Sequence, residues 1–563
     1  MKRNLFLLVM LVVTGLSIKA QSWQWANGAT GNQDDEGTSV TSDANGNVYA
    51  TGFFADATLT FGATTLTNTS GSNNYNDIFI VKYNLSGNVV WAKNAGGTDG
   101  NSKAYSIYKG PNGTTYITGD FYCTALVLDT ITLNNPSNIE RIFIAKYDSL
   151  GNVMWAKSPT GTYAGAGTGI TVDTSGNTYV TGTYAASITF GINALNSAGG
   201  TDIFVAKYTP AGVNIWAISQ GSTGNEGGTS ISLDAIGNVY VTGNFNSQSL
   251  VLGSTTLTND MNNSTNDIFI EKISGSLGTV TWAKSSKGDN DDEAKGISAD
   301  ALGNTYVTGF FNSDSLMFGS VVLHSYSAGA SYTFYVAKFD NLGNVSWAQR
   351  AGAANYDTRG MGVKTDAQGN GYVTGIYQGS PSVTFGNYVL VDSSSGSGNI
   401  FVVKYNTGGT VAWAMHAGGT SADGGAGISS DANGTGQYVT GFYSSNPIHF
   451  GNTALTNPNS NPSVFVAKLG ITVGLENIEK GDNKISLYPN SNKGIFTISY
   501  HLSNAKSVFQ MEDAMGRVLV QKNISATDGN QTIDATNLSN GIYFWEFISG
   551  NNSIGKGKVE INK

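Results

Sequence analysis

Asp77-Ile78-Phe79-Ile80-Val81-Lys82-Tyr83-Asn84-Leu85-Ser86-Gly87-Asn88-Val89-Val90-Trp91-Ala92 is the stretch on which the reading of the fold turns. An apolar run of strand length leads into Gly87-Asn88, and a second strand follows, ending in Trp91-Ala92. Glycine supplies the positive φ that such a tight turn needs. Both halves recur down the chain, but out of phase. Trp-Ala occurs at Trp25, Trp91, Trp155, Trp216, Trp282, Trp347 and Trp413, at spacings of 66, 64, 61, 66, 65 and 66 residues. The preceding strand occurs at Phe79, Phe143, Phe204, Phe269, Tyr335, Phe401 and Phe465. The first Trp-Ala therefore has no such strand before it, and the last such strand has no Trp-Ala after it.

A third element, Tyr-(Val, Ile or Ala)-Thr-Gly, recurs at Tyr49, Tyr116, Tyr179, Tyr240, Tyr306, Tyr372 and Tyr438. A short strand and a turn such as Asp43-Ala44-Asn45-Gly46-Asn47 precede it. Each unit thus predicts four strands, A to D: Ile-x-x-Asp, Tyr-Val-Thr-Gly, Phe-Val-Ala-Lys and Val-x-Trp-Ala. Four strands per repeat around an axis describe a β-propeller blade. Trp23-Gln24-Trp25-Ala26 would supply strand D of the seventh blade, so the expectation is an all-β, seven-bladed propeller whose ring the N-terminal strand closes. An open β-solenoid is the rival, and it predicts no such complementarity between the ends.

The units resemble the SBBP repeat family, whose name refers to seven-bladed propellers. The likeness rests on Gly-x-x-(Ile/Val)-x-x-Asp-x-x-Gly-Asn-x-Tyr-Val-Thr-Gly, as in Gly228 to Gly243, and covers roughly residues 22–470. The second unit departs from it, with Gly110 in place of Asp and no Phe-Gly pair. From Gly470 to Lys484 the repeat stops and a polar linker is expected. Short strands then predict a small C-terminal β-sandwich. This segment is similar to type A sorting domains of the type IX secretion system. The matching residues are Leu487-Tyr488-Pro489-Asn490, Gly516-Arg517 and Gly541-Ile542-Tyr543, with Ser491 where the family usually has Pro. The resemblance implies the type IX machinery as partner, passage through the outer membrane of a Gram-negative bacterium, and release or surface attachment. An adhesive sandwich that stays on the protein is the alternative.

The ends agree with export. Lys2 and Arg3 precede an apolar core, Leu5 to Leu16, and small residues lead to a cut after Ala20, the pattern of a signal peptide. The division expected is a signal peptide over 1–20, a propeller over 21–470, a linker over 471–486 and a sorting domain over 487–563. No segment is apolar for long enough to be read as a membrane span. The chain carries a net charge of −9, and loss of Lys2, Arg3 and Lys19 with the leader takes it to −12. That argues against nucleic acid and anionic membranes as partners. Cys123 is the sole cysteine, so no internal disulfide can form, and it reads as a small buried hydrophobe.

Candidate chemistry is sparse. The D–A connections are acidic, and Asp34-Asp35-Glu36 and Asp291-Asp292-Glu293 are candidate Ca²⁺ ligands, since closely spaced carboxylates suit a hard cation. The bland reading is a solvated acidic rim, and no other cofactor is expected. The long B–C connections, with Phe-Gly-x-x-x-Leu at Phe61, Phe190, Phe318, Phe385 and Phe450, are where binding would be sought. The strand-C lysines, such as Lys82, are expected to pair with strand-A aspartates, such as Asp43. His324, His416, His449 and His501 are scattered, and no catalytic triad, paired-His metal site or phosphate loop is recognisable. The expectation is a non-catalytic binding or adhesion module for an extracellular glycan or protein. A glycan-active enzyme working through two distant carboxylates, or a structural envelope component, are the alternatives.

Overall fold

The structure is a computed structural model. It describes residues 20–563 except 30, 32, 71–74, 138, 260–264, 328, 392–396, 432–433, 460, 473–483, 489–492, 503–505, 514–516 and 550–551. Residues 1–19 of the expected leader, most of the expected linker, and Pro489, Asn490 and Gly516 lie outside the described residues. The chain forms two compact units, one spanning Trp23–Gly470 and one holding Ile471–Lys563.

In the larger unit, each repeat folds as an antiparallel sheet with strands in the order A-B-C-D. The first sheet joins Asp35–Ser42, Val48–Phe54, Asp77–Tyr83 and Val89–Ala95. Among the described residues there are seven such sheets, the third with a short extra strand at Thr160–Gly161. In the seventh, Ala20–Gly28 is the neighbour of Ser463–Thr472, so residues from the two ends of the repeat region share one sheet.

The buried side chains form clusters between consecutive sheets. Ile78 and Ile80 of the first sheet meet Phe121, Phe143 and Ala145 of the second. The same holds down the series, and one cluster joins Val40, Phe79 and Val81 of the first sheet to Tyr438, Val464 and Val466 of the seventh. Each fully buried Phe, Val or Ile contributes about 1.5–3 kcal/mol by leaving water. The strands are apolar on both faces because each sheet is covered on both faces.

A second contact links the sheets at their edges. The indoles of Trp91, Trp155, Trp216, Trp282 and Trp347 each pack on a turn glycine of the following sheet. Each Nε1 donates to a carbonyl in that turn: Trp91 to Ser149 O at 3.2 Å, Trp282 to Asn341 O at 3.1 Å. Trp25, on the N-terminal strand, does the same to Leu85 O of the first sheet, at 3.2 Å over Gly87. Gly87 has φ +83°, and a side chain there would strike the indole.

The B–C connections are folded hairpins rather than open loops. Thr58–Phe61 pairs with Thr64–Thr67, and matching hairpins follow in five other repeats; in the third sheet strands B and C run on to form it. The Phe of Phe-Gly is buried on the strand-C aromatic, with Phe61–Phe79 centroids 5.1 Å apart and Phe385–Phe401 4.8 Å. The second repeat keeps the hairpin with Asp129 at φ 51° in place of the glycine. Cys123 is fully buried, as expected.

In the smaller unit, Lys484–Tyr488, Ile495–His501 and Asp528–Asp534 form one sheet. A second sheet has the order Val518–Ile524, Ser507–Glu512, Gly541–Ser549 and Asn552–Ile561. Ile485, Phe496 and Ile498 of the first share one core with Phe509, Trp545 and Phe547 of the second. Among the described residues, no helix is long and apolar enough to cross a membrane.

Candidate functional site

Strand A of every repeat carries a β-bulge, where the pairing with strand B slips by one residue. The slips lie between Gly37 and Ser39, Ala104 and Ser106, Gly167 and Gly169, Gly228 and Ser230, Ala294 and Gly296, Gly360 and Gly362, and Gly425 and Gly427. A bulge re-aims the side chain of its extra residue. Here the seven extra residues are Thr38, Tyr105, Thr168, Thr229, Lys295, Met361 and Ala426, and all seven line one cavity of about 620 Å³. Two smaller cavities, of about 200 Å³ and 290 Å³, follow along the same strands. In the last of them Lys364 lies 5.7 Å from the ring of Tyr108, joining the sixth sheet to the second.

The walls of the large cavity differ from sheet to sheet. Two residues before the bulge, the first, second and sixth sheets place Glu36, Lys103 and Arg359 in it, while the seventh places only Gly424. The cations are held by rings and carboxylates. Lys103 lies 4.2 Å from the ring of Phe53. Lys295 is 5.3 Å from Phe310 and 2.5 Å from the Glu293 carboxylate. Arg359 lies over both Tyr332 (4.4 Å) and Phe310 (5.2 Å), and its Nη2 donates to Asp357 at 2.6 Å. Met361, Ile376 and Phe442 make an apolar wall beside Gly424, Gly425 and Ala426.

Burial raises the Glu36 carboxyl above its usual range, and Lys103 opposes the shift. Asp120, the register partner of Lys103, is buried. Burial raises it too; the Tyr105 hydroxyl opposes the shift, and nearby Glu140 adds to it. Burial thus shifts upward both Glu36, which lines the cavity, and Asp120, which is buried outside its lining.

The candidate Ca²⁺ ligands do not converge. Asp34 is exposed, Asp35 is buried and Glu36 faces the cavity. Asp292 is buried between the partly exposed Asp291 and Glu293. These residues enter a strand, whose period of two sends neighbours to opposite faces. Among the described residues no group of three or more His, Cys, Asp or Glu could hold a metal.

The buried member of each acidic run has an internal partner. Ser313 Oγ donates to Asp292 at 2.8 Å, Ser445 Oγ to Asp423 at 2.7 Å, and Ser247 Oγ to Glu226. Burial pushes Asp292 up to about 8 and Asp423 up to about 6. In the first repeat Asp56 stands where those serines stand. Burial, and after it the Asp56 carboxyl, push Asp35 up to about 9.

The lysine expectation is corrected in the same way. Each strand-C lysine lies 5.0–5.6 Å from the ring of a strand-B tyrosine, from Lys82 over Tyr49 to Lys468 over Tyr438. Most also reach the turn carbonyl that the Trp uses, as Lys207 does with Gly275 O at 2.7 Å. Among the described residues only Lys404 pairs with its aspartate, Asp366, at 3.8 Å. The aspartates serve the A–B turns instead: Asp43 accepts from the backbone N–H groups of Asn45 and Asn47 at 2.9 Å.

In the smaller unit, Leu487 is half-buried against the shared core and Tyr488 ends the first strand. Arg517 is exposed, and its Nε donates to Asp513 at 2.6 Å. Gly541 and Ile542 open a strand, and the Tyr543 hydroxyl donates to Ser539 O at 2.8 Å.

Residues 486–561 match the family described as secretion system C-terminal sorting domain. That tail marks the chain as secreted or displayed at the cell surface. The chain is 25% identical over 369 residues to an uncharacterized WD repeat-containing protein of Acanthamoeba polyphaga mimivirus. The match covers 54% of this chain and 26% of that protein, so the chain spans about a quarter of that relative's length. Among solved structures, it is similar to the Dos1 propeller (7% identity, 80% and 96% of the two chains, TM-score 0.36). It is also similar to PorZ, a surface component of the type IX secretion system of Porphyromonas gingivalis (11% identity, 94% and 81%, TM-score 0.24).

Proposed function

We propose that this chain is a binding module delivered to the cell surface or medium by the type IX secretion system, and that it captures its ligand in the cavity the seven bulges share. The reading takes residues 1–20 as a signal peptide, 21–470 as a closed seven-bladed propeller, 471–486 as a linker and 487–563 as a β-sandwich sorting domain. Contacts between the first strands of consecutive sheets, and between those of the seventh and first, support the propeller. So does the Trp25 contact with the first sheet.

One observation carries the binding reading. Seven repeats share a frame, yet the bulges send five residue types into the cavity: Thr in three repeats, and Tyr, Lys, Met and Ala in one each. Side chains needed only for the frame would repeat with it; these vary where they meet a common space of ligand size. The test is a screen of glycans and extracellular proteins against the secreted chain and its Ala426→Trp variant, which fills the cavity. Ligand lost on filling supports the reading; ligand retained, or none found, counts against it.

Glu36 favours a second reading, a glycan-active hydrolase, because burial raises its carboxyl at the cavity wall, while Asp120, the register partner of the cavity residue Lys103, is raised as well. Release of reducing ends from a glycan, abolished by Glu36→Gln, would establish it.

A further inference from the structure

We infer that the large cavity takes a neutral, polyhydroxylated ligand of the class of a short saccharide, an inference that rests on reading the cavity as a ligand site. The charges in and behind its wall balance. Lys295 is paired with Glu293 and Arg359 with Asp357. Lys103 lies in the field of Glu36. An ion of either sign therefore gains little net attraction on entry, although the chain as a whole is acidic.

The same groups suit hydroxyls well. A hydroxyl both donates and accepts, so it can meet a carboxylate on one side and a guanidinium or ammonium on the other. Hydrogen bonds to charged groups are the stronger kind. The cations are already held by rings and carboxylates, so little freedom is lost when a ligand arrives.

The apolar side of the cavity completes the match. A sugar ring presents C–H groups on its faces and hydroxyls on its rim. Phe53, with Lys103 over its ring, lines the cavity, and Phe442, with Met361 and Ile376, lines it beside Gly424, Gly425 and Ala426. The small residues leave room there, and the volume of about 620 Å³ falls within the range of small-molecule sites.

The experiment is calorimetric titration of the full mature chain with maltose, cellobiose, mannobiose and N,N′-diacetylchitobiose, beside glucuronate and glucosamine as charged arms. The expected result is saturable binding of at least one neutral disaccharide. Arg359→Met and Ala426→Trp should each weaken it by about tenfold or more, and Lys364→Met, in the far cavity, should not. Melting temperatures show that each variant is folded. Binding of the charged arms alone, lost in Ala426→Trp, would overturn the neutral class while leaving the ligand site standing. Binding that survives both cavity variants would overturn the location. Absence of binding by every probe would overturn the inference and the ligand-site reading together.

Discussion

Glu271 is the most informative residue to change. It lies in strand C of the fourth sheet, where the other repeats carry Val81, Ala145, Ala206, Ala337, Val403 and Ala467. It has no solvent exposure, and burial pushes its carboxyl from 4.5 up to about 8. Its partner is Gln220 on strand D of the third sheet, whose Nε2 donates to Glu271 Oε2 at 2.7 Å. The remaining side-chain oxygens of both residues lack partners, and a proton on Glu271 would let it donate to the amide oxygen.

An acid with a raised pKa supports the fold at low pH and withdraws that support as pH climbs through the folded value. Relative to pH 4, holding the proton costs about 1 kcal/mol at pH 5, about 3 at pH 7 and about 4 at pH 8. Glu271→Gln keeps the shape and supplies a permanent donor. The variant should match the parent near pH 4–5 and exceed it increasingly above. For a unit of roughly 450 residues the unfolding entropy is about 0.9 kcal/mol per degree. The gain in melting temperature should then be about 1 °C at pH 5 and about 4 °C at pH 8. Paired thermal melts followed by tryptophan fluorescence would measure it. An identical gain at both pH values, or a loss at pH 8, would refute a buried, proton-holding Glu271.

Asp56→Ser should give the first repeat the carboxyl–serine pair of the fourth, fifth and seventh, lowering the Asp35 pKa and flattening the fall in stability above pH 7; an unchanged pH profile would count against a shared carboxyl site. Trp25→Ala, at a partly buried ring, should cost up to about 3 kcal/mol and expose the N-terminal strand to limited proteolysis, whereas a variant as resistant as the parent would show that the contact over Gly87 carries little. Calcium should leave the melting temperature unchanged, because Asp34, Asp35 and Glu36 point apart; a rise of several degrees at millimolar Ca²⁺ would contradict that geometry. Deleting residues 487–563 should retain the protein in the periplasm, and its appearance in the medium would sink the sorting proposal.

The frame was legible because it repeats. Trp-Ala, Tyr-Val-Thr-Gly and Phe-Val-Ala-Lys each mark a strand, and their phase difference anticipated that Ala20–Gly28 sits beside Ser463–Thr472. The hairpins were harder to see, because strands of four residues such as Thr58–Phe61 offer too little alternation to count. The cavity was invisible for a specific reason. A bulge resets the alternation of side chains, so a strict period of two misassigns Thr38, Tyr105 and Lys295 to the wrong face. The signal that would have found them is variation: within a repeated frame, these positions change from unit to unit. The acidic runs misled because consecutive carboxylates look clustered in sequence and diverge once they enter a strand.

The sheet that unites the two ends of the repeat region also sets a clock. Its strand Ala20–Gly28 is synthesised some 440 residues before its partner, Ser463–Thr472. Pairing so distant in sequence is slow and cannot begin until all the intervening repeats have been made. Six sheets can form from local segments, but the seventh must wait. The strand Ala20–Gly28 therefore waits unpaired while every repeat between is made, and the seventh sheet is completed only after the last repeat has arrived.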